Sequence, residues 1–418
     1  MTAIPPLAEF FVPVDSWGDP SNEAVAAEGS RVTFADGSEA ICAVSGLWSA
    51  SLGYGNRAIA DAMHEANIRA SALPLFRRGS SIAREAASAL IEFARPQDFA
   101  TCWFSTSGSA ALDTTVKLVR QYQALRGETA RKRIVSLSGS YHGMTAGAMA
   151  TTGEYLQQDV YGIDQRLHIR IPRDDPDAFE RVVSRYGHEL AAVILEPVLG
   201  SGAFVVDQDM IETIFTWRAT HGFVVVADEV ATGFYRTGPR FASHGWKEQP
   251  DILVTSKALT NGTCAAAALL ASFAIVEQFR QAGAIFWHGE TQAGSPQSSA
   301  AVLATIREFD RLDVARQSAR VSERLDRFLA ELSSASDRLT TTGAGCFRGI
   351  HLRGGDGGAL ESGGVAEIVG RARAAGVIVQ PGPSCVQLIP NLVMNDDDLD
   401  ELFRRLKAAL RLWLEDDR

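Results

Sequence analysis

The stretch that most limits what this chain can become runs from Phe223 to Gly262, where FVVVADEVATGFYRTG is followed, after a polar interval, by PDILVTSKALTNG. Phe223 to Val226 is a short β-branched and aromatic run that turns acidic at Asp228 and Glu229, which predicts a buried strand delivering a carboxylate at its C-terminal end. Ile252 to Val254 is a second such run; it ends in Thr255-Ser256-Lys257 and is stopped by Asn261-Gly262. Two strands of this kind bring a carboxylate and an amine to the same sheet edge. Read singly, each residue has a plainer role, because a strand-end Asp often caps a turn and a Lys near a strand end usually lies on the surface.

The surrounding pattern predicts the sheet. From Leu167 to Val226 the chain reads LHIRIP, DPDAFERVVSRYG, AAVILEPV, DMIETIFTWRATHG and FVVVAD, an alternation of short strands and helices. That alternation implies a mostly parallel sheet covered on both faces, with ligands lying beyond the C-terminal strand ends. Upstream, a strand from Thr101 to Phe104 runs into Ser105-Thr106-Ser107-Gly108-Ser109 and then a helix with Leu112, Val116 and Val119 on one side. Strand, small-residue turn and helix start together make an anion site, so Gly108 and Ser109 are candidates to hold a phosphate, although capping alone would also account for the serines. Another strand, Ile134 to Leu137, ends in Gly139-Ser140-Tyr141-His142-Gly143. Tyr141 is placed to stack on a flat ring; His142 fits a structural hydrogen-bonding role equally well.

The segments ADEVATGFYRTG and PDILVTSKALTNG closely resemble the signature of class III aminotransferases of the type I pyridoxal phosphate (PLP) fold, including the diaminopelargonic acid and ω-transaminase branches. SGLW at 45–48 with GYG at 53–55, YHG at 141–143, EPV at 196–198 and HGETQAGSP at 288–296 extend the resemblance over nearly the whole chain. It implies an α/β protein with a large domain around a mostly parallel sheet, expected over 51–298, and a smaller α+β domain over 299–418 joined by residues 1–50. It also implies PLP as cofactor and transfer of an amino group between a donor and a ketone or aldehyde. Within the site it implies that Asp228 contacts the pyridine nitrogen, Val230 packs on the ring, Tyr141 stacks on it, and Lys257 bonds to the cofactor aldehyde. Glu196 stands in the matching EPV motif. Trp48 would line the substrate pocket, and Thr291 would reach the cofactor phosphate of a neighbouring subunit, so that a homodimer is expected. Local readings remain beside these: a Trp next to Gly is usually core packing, and Thr291 could belong to the cap region of a helix starting near Pro296. The chemistry agrees with the resemblance, since such a cofactor needs an uncharged lysine amine and an acid facing the ring nitrogen.

Two departures bear on substrate. Where the family carries an Arg that forks onto a substrate carboxylate, GVIVQP at 376–381 has Gln380, which can donate a hydrogen bond but cannot neutralise a carboxylate. Where some branches place a Glu to sequester that Arg, EPVLGS has Ser201. The expected substrate therefore lacks a free α-carboxylate near the reacting carbon: an amine, an amino ketone, an aldehyde or a modified peptide terminus of specialised metabolism. Arg77 or Arg78, in LPLFRRGS, is the alternative source of a cation. An aminomutase, racemase or decarboxylase on the same fold is the alternative reaction.

Other function classes are excluded by charge and patterning. A net charge of −10 without an extended basic run argues against nucleic acid. The 5 cysteines are scattered and lack a CxxC pair, which speaks against a disulfide framework or metal site and for a reducing, cytoplasmic location. MTAIPPLAEF has no basic segment before an apolar core, and no apolar run is long enough to span a bilayer. Toward the C-terminus the pattern predicts a helix from about Ala300 to Ser334, strands at Gly349–Leu352 and Val377–Val379, and an amphipathic helix from Leu399 to Leu414.

Overall fold

In the computed structural model, which describes residues 4–416, the first strands are β1 (Ala24–Glu28), β2 (Arg31–Phe34) and β3 (Glu39–Cys42), folded as an antiparallel meander. The turn between β2 and β3 uses Gly37 at φ +82°, a conformation that costs a glycine little. Seven strands follow: β4 (Thr101–Ser105), β5 (Arg133–Leu137), β6 (His168–Ile171), β7 (Leu190–Leu195), β8 (Val224–Asp228), β9 (Ile252–Thr255) and β10 (Ala267–Ala271). They form one sheet in the order β4-β10-β9-β8-β7-β5-β6, in which only β10 runs against the others.

Every residue of β7, β8, β9 and β10 is buried, which is why these runs are continuously apolar. Alternate side chains serve opposite faces. Val224 and Val226 pack with Leu112, Val116 and Val119 of the helix Gly108–Leu125, while Val225 packs with Phe179, Val183 and Met210 of the helices Pro176–Tyr186 and Gln208–His221. Each such valine contributes about 1.5–3 kcal/mol on burial. The parallel register sets Asp228 beside Val254, so the end of β8 and the end of β9 arrive together.

The rest of the chain adds β11 (Leu339–Ala344), β12 (Phe347–Leu352), β13 (Val377–Ile378), β14 (Gln380–Gly382) and β15 (Cys385–Leu388). Four of these form a sheet ordered β11-β12-β15-β14, and β13 instead pairs in parallel with β3, Val377 opposite Ile41. The helix expected from about Ala300 to Ser334 is in fact two, Pro296–Arg311 and Val314–Ala335. They break at Leu312 and Asp313, where Asp313 takes φ +47°; Asp tolerates that left-handed conformation better than most residues, and the helical periodicity gave no sign of it. The terminal helix spans Asp396–Asp416, longer than expected, with three Asp in its first turn facing the positive end of the helix dipole. No helix among the described residues is long and apolar enough to cross a membrane.

SGLW, expected as loop, is a single left-handed turn. Ser45, Gly46, Leu47 and Trp48 have φ of +46°, +54°, +61° and +65°. For the three that are not glycine this costs about 1–2 kcal/mol each, so the surroundings must hold them there. They do: Ser45 Oγ donates to Ile389 O at 2.6 Å, Ile389 N donates to Ala43 O at 2.6 Å, and the Trp48 ring meets Phe347 edge-on at 5.5 Å. Leu47 is left pointing outward, while Trp48 is buried.

Candidate active site

The chemistry-bearing side chains collect at the C-terminal strand ends. Asp228, the last residue of β8, is buried; its Oδ1 accepts from Val230 N at 3.1 Å and its Oδ2 lies 2.7 Å from His142 Nδ1. Burial pulls the His142 imidazole down, but the hydrogen bond and charge of Asp228, with Glu196 behind them, outweigh it and hold His142 above its ordinary value. Glu196, directly after β7, accepts from Tyr141 N at 2.9 Å and Gly200 N at 3.0 Å. Desolvation is the main cause that pushes its carboxyl up to about 7, with His142 opposing and Asp228 adding to the shift.

Lys257 follows β9 at φ +46°, as the first residue of a short 3₁₀ turn closing at Asn261. Its side chain keeps part of its surface open to the cleft, and Nζ lies 4.6 Å from the centre of the Trp48 ring. Desolvation lowers the pKa of this amine against the opposing pull of Glu196 and Asp228, and Arg236 lowers it further. No carboxylate among the described residues forms an ion pair with it, so an uncharged, reactive amine is favoured.

The loop after β4 forms a small cradle. Ser107 caps the following helix, accepting from Ala110 N at 3.1 Å, and the helix start leaves the amides of Gly108 and Ser109 available to an anion. A Cβ on Gly108 would come within 3.2 Å of Val230 Cγ1, and one on Gly143 would collide with Ser109 Oγ. Ser109 Oγ itself accepts from Met144 N at 3.1 Å. Glu290 fixes the loop from the other side, accepting from Ser105 Oγ at 2.5 Å and Thr106 N at 2.9 Å. The donor set therefore fits PLP: two open amides for a phosphate, an aspartate braced by His142, a buried His142 Nε2 with no partner, and an amine whose charged form is disfavoured by desolvation.

The residues expected to meet a substrate come from several separate segments. Trp48 covers Lys257, and Tyr141 remains 36% exposed at the end of β5. Gln380, in β14, stands opposite Gln387 of β15. Ser201 sits in a loop whose next residue is gripped by the C-terminal sheet, Gly202 O accepting from Thr342 Oγ1 at 2.8 Å with His351 Nε2 at 2.9 Å. Two expectations are not gathered into this group. Thr291 is exposed, and the helix behind it is capped by Ser295, accepting from Ser298 N at 3.2 Å, rather than by Thr291. Arg77 and Arg78 are exposed and form no ion pair among the described residues. No local signal marks Arg236 as a buried neighbour of the site. Arg236 stands in the quoted FYRTG and is wholly buried, donating to Pro390 O, Cys346 O and Ser51 Oγ, with its pKa brought down to about 10 by burial.

A lysine, a braced aspartate and a helix-start anion cradle at the strand ends of a parallel sheet define a PLP-type transferase. The comparisons with known proteins agree. Residues 18–410 match the family described as aminotransferase class-III. The chain is 29% identical to the adenosylmethionine-8-amino-7-oxononanoate aminotransferase of Nitratidesulfovibrio vulgaris over 92% of this chain and 76% of that one. It is 26% identical to the omega-aminotransferase of Caulobacter vibrioides over 89% of each. The crystal structure of the omega transaminase from Pseudomonas jessenii in complex with PMP superposes with a TM-score of 0.88 at 26% identity, covering 94% of this chain and 93% of that one. The chain belongs to the class III aminotransferases; it is a PLP-dependent transaminase, and its fold is theirs.

Proposed function

We propose that this transaminase takes amino donors or acceptors lacking a free α-carboxylate near the reacting carbon, such as amines, amino ketones or modified peptide termini of specialised metabolism. The observation that carries the reading is Gln380, an amide in β14 where a carboxylate-binding enzyme of this kind would present a guanidinium. Ser201, equally neutral, supports it.

In this reading Gly108 and Ser109 would hold the cofactor phosphate through their amides, Tyr141 and Val230 would pack on its ring, and Asp228, oriented by His142, would keep the ring nitrogen protonated. PLP, when bound, supplies the electron sink for the bond broken at the substrate carbon. With the cofactor bound, Lys257 Nζ would serve as the base that takes the proton from the substrate carbon and later gives it back. Glu196 keeps the Tyr141 backbone in position, and Trp48 closes the pocket over Lys257. Two chains complete each site, with Thr291 serving the partner's phosphate. Its exposure supports this, as do the exposed Trp287 in the same segment and Phe76 packed against Gly289. We place the large domain at 51–298, the small one at 299–418, and the first 50 residues with the latter, in keeping with the pairing of β3 and β13. A cytoplasmic setting fits the free cysteines.

The test is a single-turnover titration of the holoenzyme with a panel of donors, followed by visible absorbance. Simple amines are expected to convert the cofactor and alanine or glutamate to fail. Rapid conversion by alanine or glutamate overturns the substrate reading and points to Arg77 or Arg78 as the missing cation.

A further inference from the structure

The molecule buries one cation that the reaction does not use. Arg236 sits in the loop after β8, behind Phe234 and Tyr235 at φ +58° and +63°, left-handed conformations that residues other than glycine rarely adopt. The Phe234 ring holds that bend by packing among Phe93, Phe241 and Phe309. A buried guanidinium ordinarily has a carboxylate beside it. Among the described residues Arg236 forms no ion pair and bonds only to neutral oxygens.

Those oxygens come from two places. Nη1 donates to Pro390 O and to Cys346 O, the latter at 3.3 Å; Nη2 donates to Ser51 Oγ at 3.0 Å and Ser45 Oγ at 3.5 Å. One side of the fork therefore takes two backbone carbonyls from the C-terminal part of the chain. The other takes hydroxyls from either side of Trp48, and Ser45 Oγ passes the restraint on by donating to Ile389 O at 2.6 Å. The same segment also rests on the turn that begins at Lys257. Asn261 Oδ1 accepts from Leu52 N at 2.8 Å, its Nδ2 donates to Gly53 O at 3.0 Å, and a Cβ on Gly262 would stand 2.9 Å from Ser49 Cβ. Trp48, framed by these anchors, has its ring centre 4.6 Å from Lys257 Nζ.

We propose that Arg236 is a positioning residue: by holding Ser45 and Ser51 against the carbonyls of Cys346 and Pro390, it keeps the Trp48 ring over Lys257 and so sets how tightly a donor is bound. The inference rests on the reading that Trp48 closes the substrate pocket. Geometry explains why the residue is Arg. A planar fork reaches four oxygens at once, whereas Lys keeps the charge and reaches fewer of them.

The test uses the holoenzyme and its Arg236→Lys, Trp48→Ala and double variants, with pentylamine as donor, or alanine where only alanine converts the cofactor. Losing one hydrogen bond to a charged group is worth about tenfold, so Arg236→Lys is expected to raise KM about tenfold, with kcat within about threefold of wild type and the visible band retained. Trp48→Ala should raise KM by a similar factor, and the double variant no further than the larger single effect. Amide hydrogen exchange should quicken in Arg236→Lys over residues 43–53 and not over β8 and β9. An unchanged KM in Arg236→Lys, KM effects that multiply in the double variant, or exchange that quickens everywhere alike overturns the assignment. If Trp48→Ala leaves KM unchanged, the pocket reading of Trp48 falls and Arg236 is judged on exchange alone: quickening confined to 43–53 sustains its hold on the turn, and none overturns it. If Arg236→Lys does not fold, Ser51→Ala, which removes a single acceptor, replaces it in each comparison with an expected effect of about threefold.

Discussion

At the strand ends, Asp228 and Glu196 are braced by hydrogen bonds of 2.7 to 3.1 Å and Lys257 follows a buried neighbouring strand, whereas the residues expected to choose the substrate come from the Ser45–Trp48 turn, the loop at Ser201 and strand β14. The first region cannot shift one residue without moving a whole ladder of β-pairs. The second is built from pieces that meet only in the folded molecule, each replaceable without touching the sheet. In the proposed reading, bond-breaking chemistry and choice of substrate therefore sit on separable parts of the chain.

That separation gives variants with opposite signatures. Lys257→Ala should lower kcat by at least about 10⁴-fold for every donor alike and remove the visible absorbance of the purified protein. Retention of the band would take Lys257 out of its role, and a donor-selective loss would blur the boundary between the two regions. Gln380→Arg should leave the band in place and raise kcat/KM for alanine or glutamate by about tenfold. If the band disappears as well, the two regions are coupled after all.

The smallest effect concerns Glu196. Its carboxyl is held above its ordinary value in the folded protein, so between the unfolded value of 4.5 and about 7 the native state keeps a proton that the unfolded chain has released. Its contribution to stability consequently falls as pH rises across that window. Melting curves at pH 5 and pH 8 should show the wild type losing on the order of 1 kcal/mol more than Glu196→Gln. Parallel curves for the two proteins would mean that Glu196 does not titrate differently on folding.

The same division explains what could be read without the structure. The sheet was legible because buried strands such as Val224–Asp228 and Ile252–Thr255 are apolar throughout and end in chemistry, and Gly108 announced itself by following a strand and opening a helix. The break at Asp313 escaped because the helical periodicity around it carries through without interruption. The left-handed turn escaped because SGLW contains no trace of what restrains it; Ile389 and Phe347 are distant in the chain. Arg236 lay in a recognised motif, yet its burial depends on Pro390 O and Ser51 Oγ.

The restraints on Trp48 also carry a message about time. Ala43 is tied to later chain through both its backbone groups, its N donating to Ile378 O at 3.0 Å and its O accepting from Ile389 N at 2.6 Å, and Leu392 N donates to Ser51 O at 2.8 Å. A nascent chain that has emerged as far as Lys257 already carries the reactive amine, the aspartate and the phosphate cradle, but nothing yet pins the turn that covers them. The turn over the lysine is held by Phe347, Ile378 and Ile389, all synthesised well after Lys257, so in the proposed reading the part that chooses substrates is completed after the part that performs chemistry.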